Sequence, residues 1–160
     1  MLGGLGARRL RALAKESLFA NPAFRWVIAA LGAFPTRRGE ADLESMRAAI
    51  EILKNDEMMI VFPEGTRQRG DDVGELFDGI AFLAARSKAR ILPIGMDGTE
   101  QVLGSGSSRP SRHPVAVVVG EPMDPPASSR RNVLVEYTAE LQAEMQRLQD
   151  RAVELNRNRT

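Results

Sequence analysis

A carboxylate, a hydroxyl and two guanidiniums fall within seven residues in Pro63-Glu64-Gly65-Thr66-Arg67-Gln68-Arg69. Guanidiniums recognise phosphate through paired N–H donors. A carboxylate set among such cations either accepts hydrogen bonds from a polyol hydroxyl or neutralises the arginine beside it. A second pair, Arg37-Arg38, offers the same charge upstream, and Lys15 adds a third source. Gathered at one sheet edge, these loops would make a phosphate site. Taken as residue types alone, the stretch reads equally well as a polar surface loop with a local Glu-Arg pair.

The elements that must position these residues can be read from apolar spacing. Met58-Met59-Ile60-Val61-Phe62 has the form of a buried strand, stopped by Pro63 and Gly65. In α/β proteins ligand crevices form at the carboxyl ends of such strands. Leu10 to Phe19 is either a strand ending near Ala14-Lys15 or the start of a helix. Pro22 opens a helix to Leu31, with Phe24, Val27, Ile28 and Leu31 on one face. Trp26 beside that face suits either a membrane interface or the core. Gly32 to Gly39 breaks this helix, and a new one is expected from Asp42 to Asn55, with Leu43, Met46, Ile50 and Leu53 in register and Asp42 as its cap.

Beyond the charged loop, Leu76, Ile80 and Leu83 predict a helix over Glu75 to Ser87. Arg90 to Met96 reads as a strand, with Pro93 implying a bulge or an edge. Gly98 to Pro114 reads as a flexible connection, and Val115 to Val119 as another strand. Leu134, Tyr137, Leu141, Met145, Leu148, Ala152 and Leu155 form a stripe along a terminal helix, whose arginine-rich end at Arg157 and Arg159 is expected to fray. Helix, strand, loop, helix is the rhythm of βαβ units. The expected fold is therefore α/β: a single domain with a largely parallel central sheet covered by helices.

Composition narrows the chemistry. The 160 residues suit one core, with 43% hydrophobic and 27% charged content. Without cysteine there is no disulfide framework and no thiolate chemistry. His113 is the single histidine, which rules out a multi-histidine metal site; no Asp or Glu lies within five residues of it, so it is a poor base. No P-loop and no Gly-x-Ser-x-Gly elbow occurs. Of the overall +1 charge, +6 sits in residues 1–38, where Arg8, Arg9, Arg11, Lys15, Arg25, Arg37 and Arg38 face Glu16 alone, leaving −5 for the rest. Such asymmetry points to an anionic partner, a phosphate group or an anionic lipid surface. No stretch is apolar enough to span a membrane and the start lacks the form of a secretory signal.

Phe62-Pro63-Glu64-Gly65-Thr66-Arg67 resembles the third signature block of the glycerolipid acyltransferases, the lysophosphatidate and glycerol-3-phosphate acyltransferases. Ala14-Lys15-Glu16-Ser17-Leu18-Phe19 and Gly32 to Arg38 are similar to the segment leading into that family's second block, whose arginine falls on Arg38. Leu92-Pro93-Ile94 resembles its fourth block. Order and spacing agree over residues 10–123, although Asp78 is acidic where the family leads one to expect a basic residue. The resemblance implies transfer of a fatty acyl group from acyl-CoA or acyl-carrier protein to a glycerol phosphate, with 1-acylglycerol 3-phosphate the expected acceptor, in phospholipid synthesis. It implies acceptor and phosphate binding by Lys15, Arg38, Glu64, Gly65, Thr66 and Arg67, and a donor-side or pocket-wall role for Pro93. It further implies no metal and no cofactor beyond the acyl donor, no nucleic-acid partner, and peripheral attachment at the cytoplasmic face of a membrane.

The family's first block, His-x-x-x-x-Asp, supplies the general base and the carboxylate that orients it. This sequence has no such block, since Val118 stands five positions after His113. In the family the block precedes the segment at Lys15. The expectation is that the natural protein begins further upstream, so that the catalytic residues are none of these 160; an in-frame His-x-x-x-x-Asp in the coding DNA before Met1 would bear this out. The alternative is a non-catalytic module that binds phospholipid head groups.

Overall fold

The computed structural model describes residues 10–15, 33–36, 43–65, 70–102 and 111–158. It divides the chain into two compact units, the described parts of Met1–Phe62 with Arg86–Ala89, and those of Pro63–Ala85 with Arg90–Thr160.

The first unit is a parallel sheet in the order β2-β1-β3, built from β1 (Leu10–Lys15), β2 (Ala33–Thr36) and β3 (Met58–Ile60). The open reading of residues 10–19 resolves to a strand ending at Lys15. β2 was not expected; Ala33-Phe34-Pro35-Thr36 is short and holds a proline, which cannot donate to a ladder. The outer place of β2 in the sheet tolerates that loss. The predicted Pro22–Leu31 helix, Trp26 and the Asp42 cap lie outside the described residues.

Helix α1 (Leu43–Lys54) links β2 to β3 and packs on β3. Its inner face centres on fully buried Ala49, with Met46, Ile50 and Leu53 partly buried. The helix ends in a Schellman turn: Glu57 N–H donates to the Ile52 carbonyl (3.3 Å), Asp56 N–H donates to Leu53 (3.2 Å), and Asp56 takes the left-handed conformation at φ 62°. The Arg11 guanidinium on β1 then holds the Glu57 carboxylate at 2.6 Å, and that bond raises the Arg11 pKa above its ordinary value. Helix exit and sheet are thereby pinned at the residue before β3.

The expectation of a five-residue buried strand is corrected. β3 has three residues, and Met58 and Ile60 are each 43% exposed, as is more of Phe62 at 64%. Among the described residues β3 pairs only with β1, at the end of the strand order.

The second unit sets an antiparallel pair, β4 (Ile94–Asp97) and β5 (Ala116–Val119), against the long α4 (Arg131–Arg157). The stripe predicted for α4 is buried at Leu134, Tyr137, Leu141, Leu148 and Ala152, joined by Val153. Ala81 and Ala85 of α2 (Gly79–Ser87) pack with Leu134 and Tyr137, and Phe82, Ile91 and Met123 close over them. Leu76 is buried as predicted, but the helix begins at Gly79, because Val73 to Phe77 is held in an irregular path described below. The α4 end expected to fray is helical through Arg157, which reaches Asp71 at 2.9 Å; Arg159 lies outside the described residues.

Of the bulge or edge expected at Pro93, a bulge is present, with its extra residue on the partner strand. Ile91 bridges Met123 and Ile94 pairs with Val119, so two residues between them, Leu92 and Pro93, face three, Gly120 to Pro122. A short helical turn, α3 (Thr99–Val102), occupies the start of the expected flexible connection. The α/β class stands, as a parallel three-stranded sheet and a separate antiparallel pair.

Candidate functional site

In the first unit, three parallel strands bring their carboxyl ends to one edge, the place where α/β folds build ligand sites. Lys15 closes β1 and pairs in register with Thr36, which closes β2. In the sequence Thr36 is followed at once by Arg37 and Arg38, so the register sets Lys15 beside the residue that precedes them. This juxtaposition is one of backbone; the Lys15 side chain and the whole of Arg38 lie outside the described residues. On the other flank of β1, β3 ends at Ile60 and Val61-Phe62 lead into the charged loop.

The described part of that loop, Pro63 to Gly65, belongs to the second unit. Phe77 N–H donates to the Pro63 carbonyl (3.1 Å), and Gly74 N–H donates to Glu64 Oε1 (3.1 Å). Glu64 is half-buried. Among the described residues its Oε2 has no partner. Gly65 sits at φ 64°, where an L side chain is strained, and an added Cβ would lie 3.0 Å from the Phe77 ring. Both facts favour glycine after the glutamate. Thr66 and Arg67 lie outside the described residues, so a Glu64–Arg67 pair and a Glu64 facing a ligand both remain sequence readings.

The segment opposite the loop is held in turn by α4. Val73 N–H donates to Gln146 Oε1 (2.8 Å) and Leu76 N–H to Gln142 Oε1 (3.5 Å). Side chains thus satisfy two backbone donors, one before and one within the first turn of a helix over Glu75 to Ser87, that such a helix would have left without an internal partner. Nothing in the sequence ties two glutamines on a terminal helix to a segment some seventy positions earlier, and they escaped prediction.

Pro93 is buried, and its carbonyl accepts the Gly120 N–H at 3.0 Å. A Cβ on Gly120 would meet Leu148, Glu144 and the Pro93 ring at 2.8 to 3.1 Å. The geometry makes Pro93 a packing residue inside the bulged ladder. His113 is partly buried beside Pro114, whose carbonyl accepts from Asn156 (3.3 Å). Among the described residues no cluster of His, Cys, Asp or Glu could hold a metal ion.

A family model described as Acyltransferase matches residues 1–97, more than half of the chain. The chain belongs to the acyltransferase family. The 1-acyl-sn-glycerol-3-phosphate acyltransferase of Streptococcus pneumoniae (strain ATCC BAA-255 / R6) is 34% identical over 70% of this chain and 40% of its own length. That of Bacillus subtilis (strain 168) is 28% identical over 75% of this chain and 57% of its own. The crystal structure of the 1-acyl-sn-glycerophosphate acyltransferase PlsC from Thermotoga maritima superimposes with a TM-score of 0.67 at 30% identity, covering 86% of this chain and 56% of that one. This acyltransferase-family chain therefore spans about half the length of these relatives. The resemblance drawn from Phe62 to Arg67 is borne out at the level of family and fold.

Proposed function

We propose that the chain carries the acceptor side of an acyl transfer to 1-acylglycerol 3-phosphate, in phospholipid synthesis, from an acyl-CoA or acyl-carrier-protein thioester. The observation that carries this reading is the Pro63–Gly65 turn. It anchors Glu64 by one carboxylate oxygen and holds Gly65 in a left-handed conformation that favours glycine, inside a sequence match to the acyltransferase family. Relatives named for 1-acylglycerol 3-phosphate support the acceptor class.

In this reading Arg38 and Arg67, with Lys15, hold the phosphate, and Glu64 accepts a hydrogen bond from the glycerol through its second oxygen. The acceptor hydroxyl oxygen attacks the thioester carbonyl, a C–O bond forms as the C–S bond breaks, and the hydroxyl proton passes through a base to the departing thiol. Positioning contributes by fixing the hydroxyl near the carbonyl carbon. The base itself is not a residue of these 160 by the family pattern, and a positioned base typically contributes about 10²- to 10⁴-fold in rate. No cofactor beyond the thioester is needed.

Transfer from acyl-CoA to 1-oleoylglycerol 3-phosphate, followed in Glu64→Ala and Arg67→Ala, tests the assignment. Both should impair acceptor use chiefly, and unchanged kinetics across the acceptor titration in both would overturn it. The missing His-x-x-x-x-Asp pattern favours one second reading, a head-group binding module. Binding that disappears in Arg38→Ala and Arg67→Ala, without turnover in the protein read from any upstream start, would decide for that module.

A further inference from the structure

The family match ends at residue 97, yet the turn that carries Glu64 is supported from beyond it. Gly74 N–H is the described partner of Glu64 Oε1, and Gly74 is held where it is by its neighbour. Val73 N–H donates to Gln146 Oε1 at 2.8 Å, the shorter of the two glutamine bonds to this segment. The Gln146 amide is itself oriented, because its Nε2 donates to Asp150 Oδ1 at 2.8 Å and to the Asp71 carbonyl at 3.4 Å. Asp71 is fixed in addition by Arg157, also on α4. A polar relay thus runs from α4 through Gln146 and Val73 to Gly74 and the Glu64 carboxylate. Each of its links is a directional bond that a neutral apolar side chain cannot replace.

We infer that Gln146 is a positioning residue for Glu64: it fixes the backbone at Val73 so that Gly74 N–H meets one carboxylate oxygen and leaves the other turned to the acceptor. The structural half stands on the hydrogen bonds alone. The functional half rests on the acceptor reading of Glu64 given above.

Gln146→Met removes both the acceptor and the donor at similar volume, and Gln149→Met is the control, since Gln149 sits on the same helix and bonds Met96 N–H instead. Amide hydrogen exchange and binding of 1-oleoylglycerol 3-phosphate would be measured on the full chain. In Gln146→Met, exchange at Val73 and Gly74 should rise and binding should weaken by about five- to tenfold; the control should change neither. The double variant Gln146→Glu with Asp150→Asn restores an acceptor for Val73 and a donor for the new carboxylate, and should recover both readouts. Unchanged exchange at Val73 and Gly74 in Gln146→Met would overturn the relay. Raised exchange with unchanged binding, or an equal loss of binding in Gln149→Met, would overturn the positioning role. If the unmodified chain binds none of the probe, the acceptor reading falls, and exchange at Gly74 alone then decides whether Gln146 holds Glu64.

Discussion

On the acceptor reading proposed above, Glu64 serves structure and ligand together. Its Oε1 satisfies a backbone donor, so the group is held before any acceptor arrives, and orientation of this kind lowers the ordering cost of binding. Tyr137 shows the opposite economy. Its hydroxyl is buried and, among the described residues, has no hydrogen-bond partner, and burial raises its pKa, with Glu140 and Asp124 adding to the effect. Because burial raises this pKa by penalising the phenolate, ionisation costs the fold nothing below the unfolded value, near 10, and stability falls as pH rises from there through the folded value. Tyr137→Phe should therefore be neutral to mildly stabilising at pH 7 and should melt at a higher temperature than the parent above about pH 10. Melting curves at the two pH values check both statements, and a large loss of stability at pH 7 would show that the hydroxyl has a partner.

At the scale of elements, the crossing of β4 and α4 is tightly constrained. A Cβ on Gly95 would lie 2.5 Å from the Leu148 carbonyl carbon and oxygen and 2.7 Å from Gln149 N. These are backbone atoms of a helix interior, which cannot move aside as a side chain would. Gly95→Ala should cost about 1–3 kcal/mol, the usual range for overpacking, read as a lowered melting temperature. Elements with a strong period were legible in the sequence: α1, α4 and the run at β5 are where the apolar spacing puts them. The site loop was legible too, because Pro63 and Gly65 are punctuation that residue types reveal. What escaped was set by tertiary contacts. Among the described residues β2 takes an outer position, which tolerates Pro35; α2 begins only at Gly79, after a segment whose Val73 and Leu76 donors bond glutamines on α4; and β3 leaves Met58 and Ile60, which share a face, partly exposed.

For the whole molecule, the charge asymmetry is real in the sequence, but one of its seven cations is committed: Arg11 is tied to Glu57. Among the described residues no helix is long and apolar enough to cross a membrane. Association with a lipid surface would then draw on the basic first third. Co-flotation with anionic liposomes should be observed at low salt and fall as ionic strength rises toward about 1 M, where the screening length shrinks to about 3 Å; flotation that ignores both lipid charge and salt would refute an electrostatic attachment. Gln149 bears on a different property of the molecule. β4 has β5 on one side only among the described strands, and on its open side the Met96 N–H is taken by the Gln149 side chain at 3.2 Å. An open strand edge is a template on which a second copy can add its own strand, and beside exposed Ile94 and Met96 that template would be a sticky one. By occupying that donor, a single amide on a neighbouring helix takes away one of the backbone groups that an added strand would use.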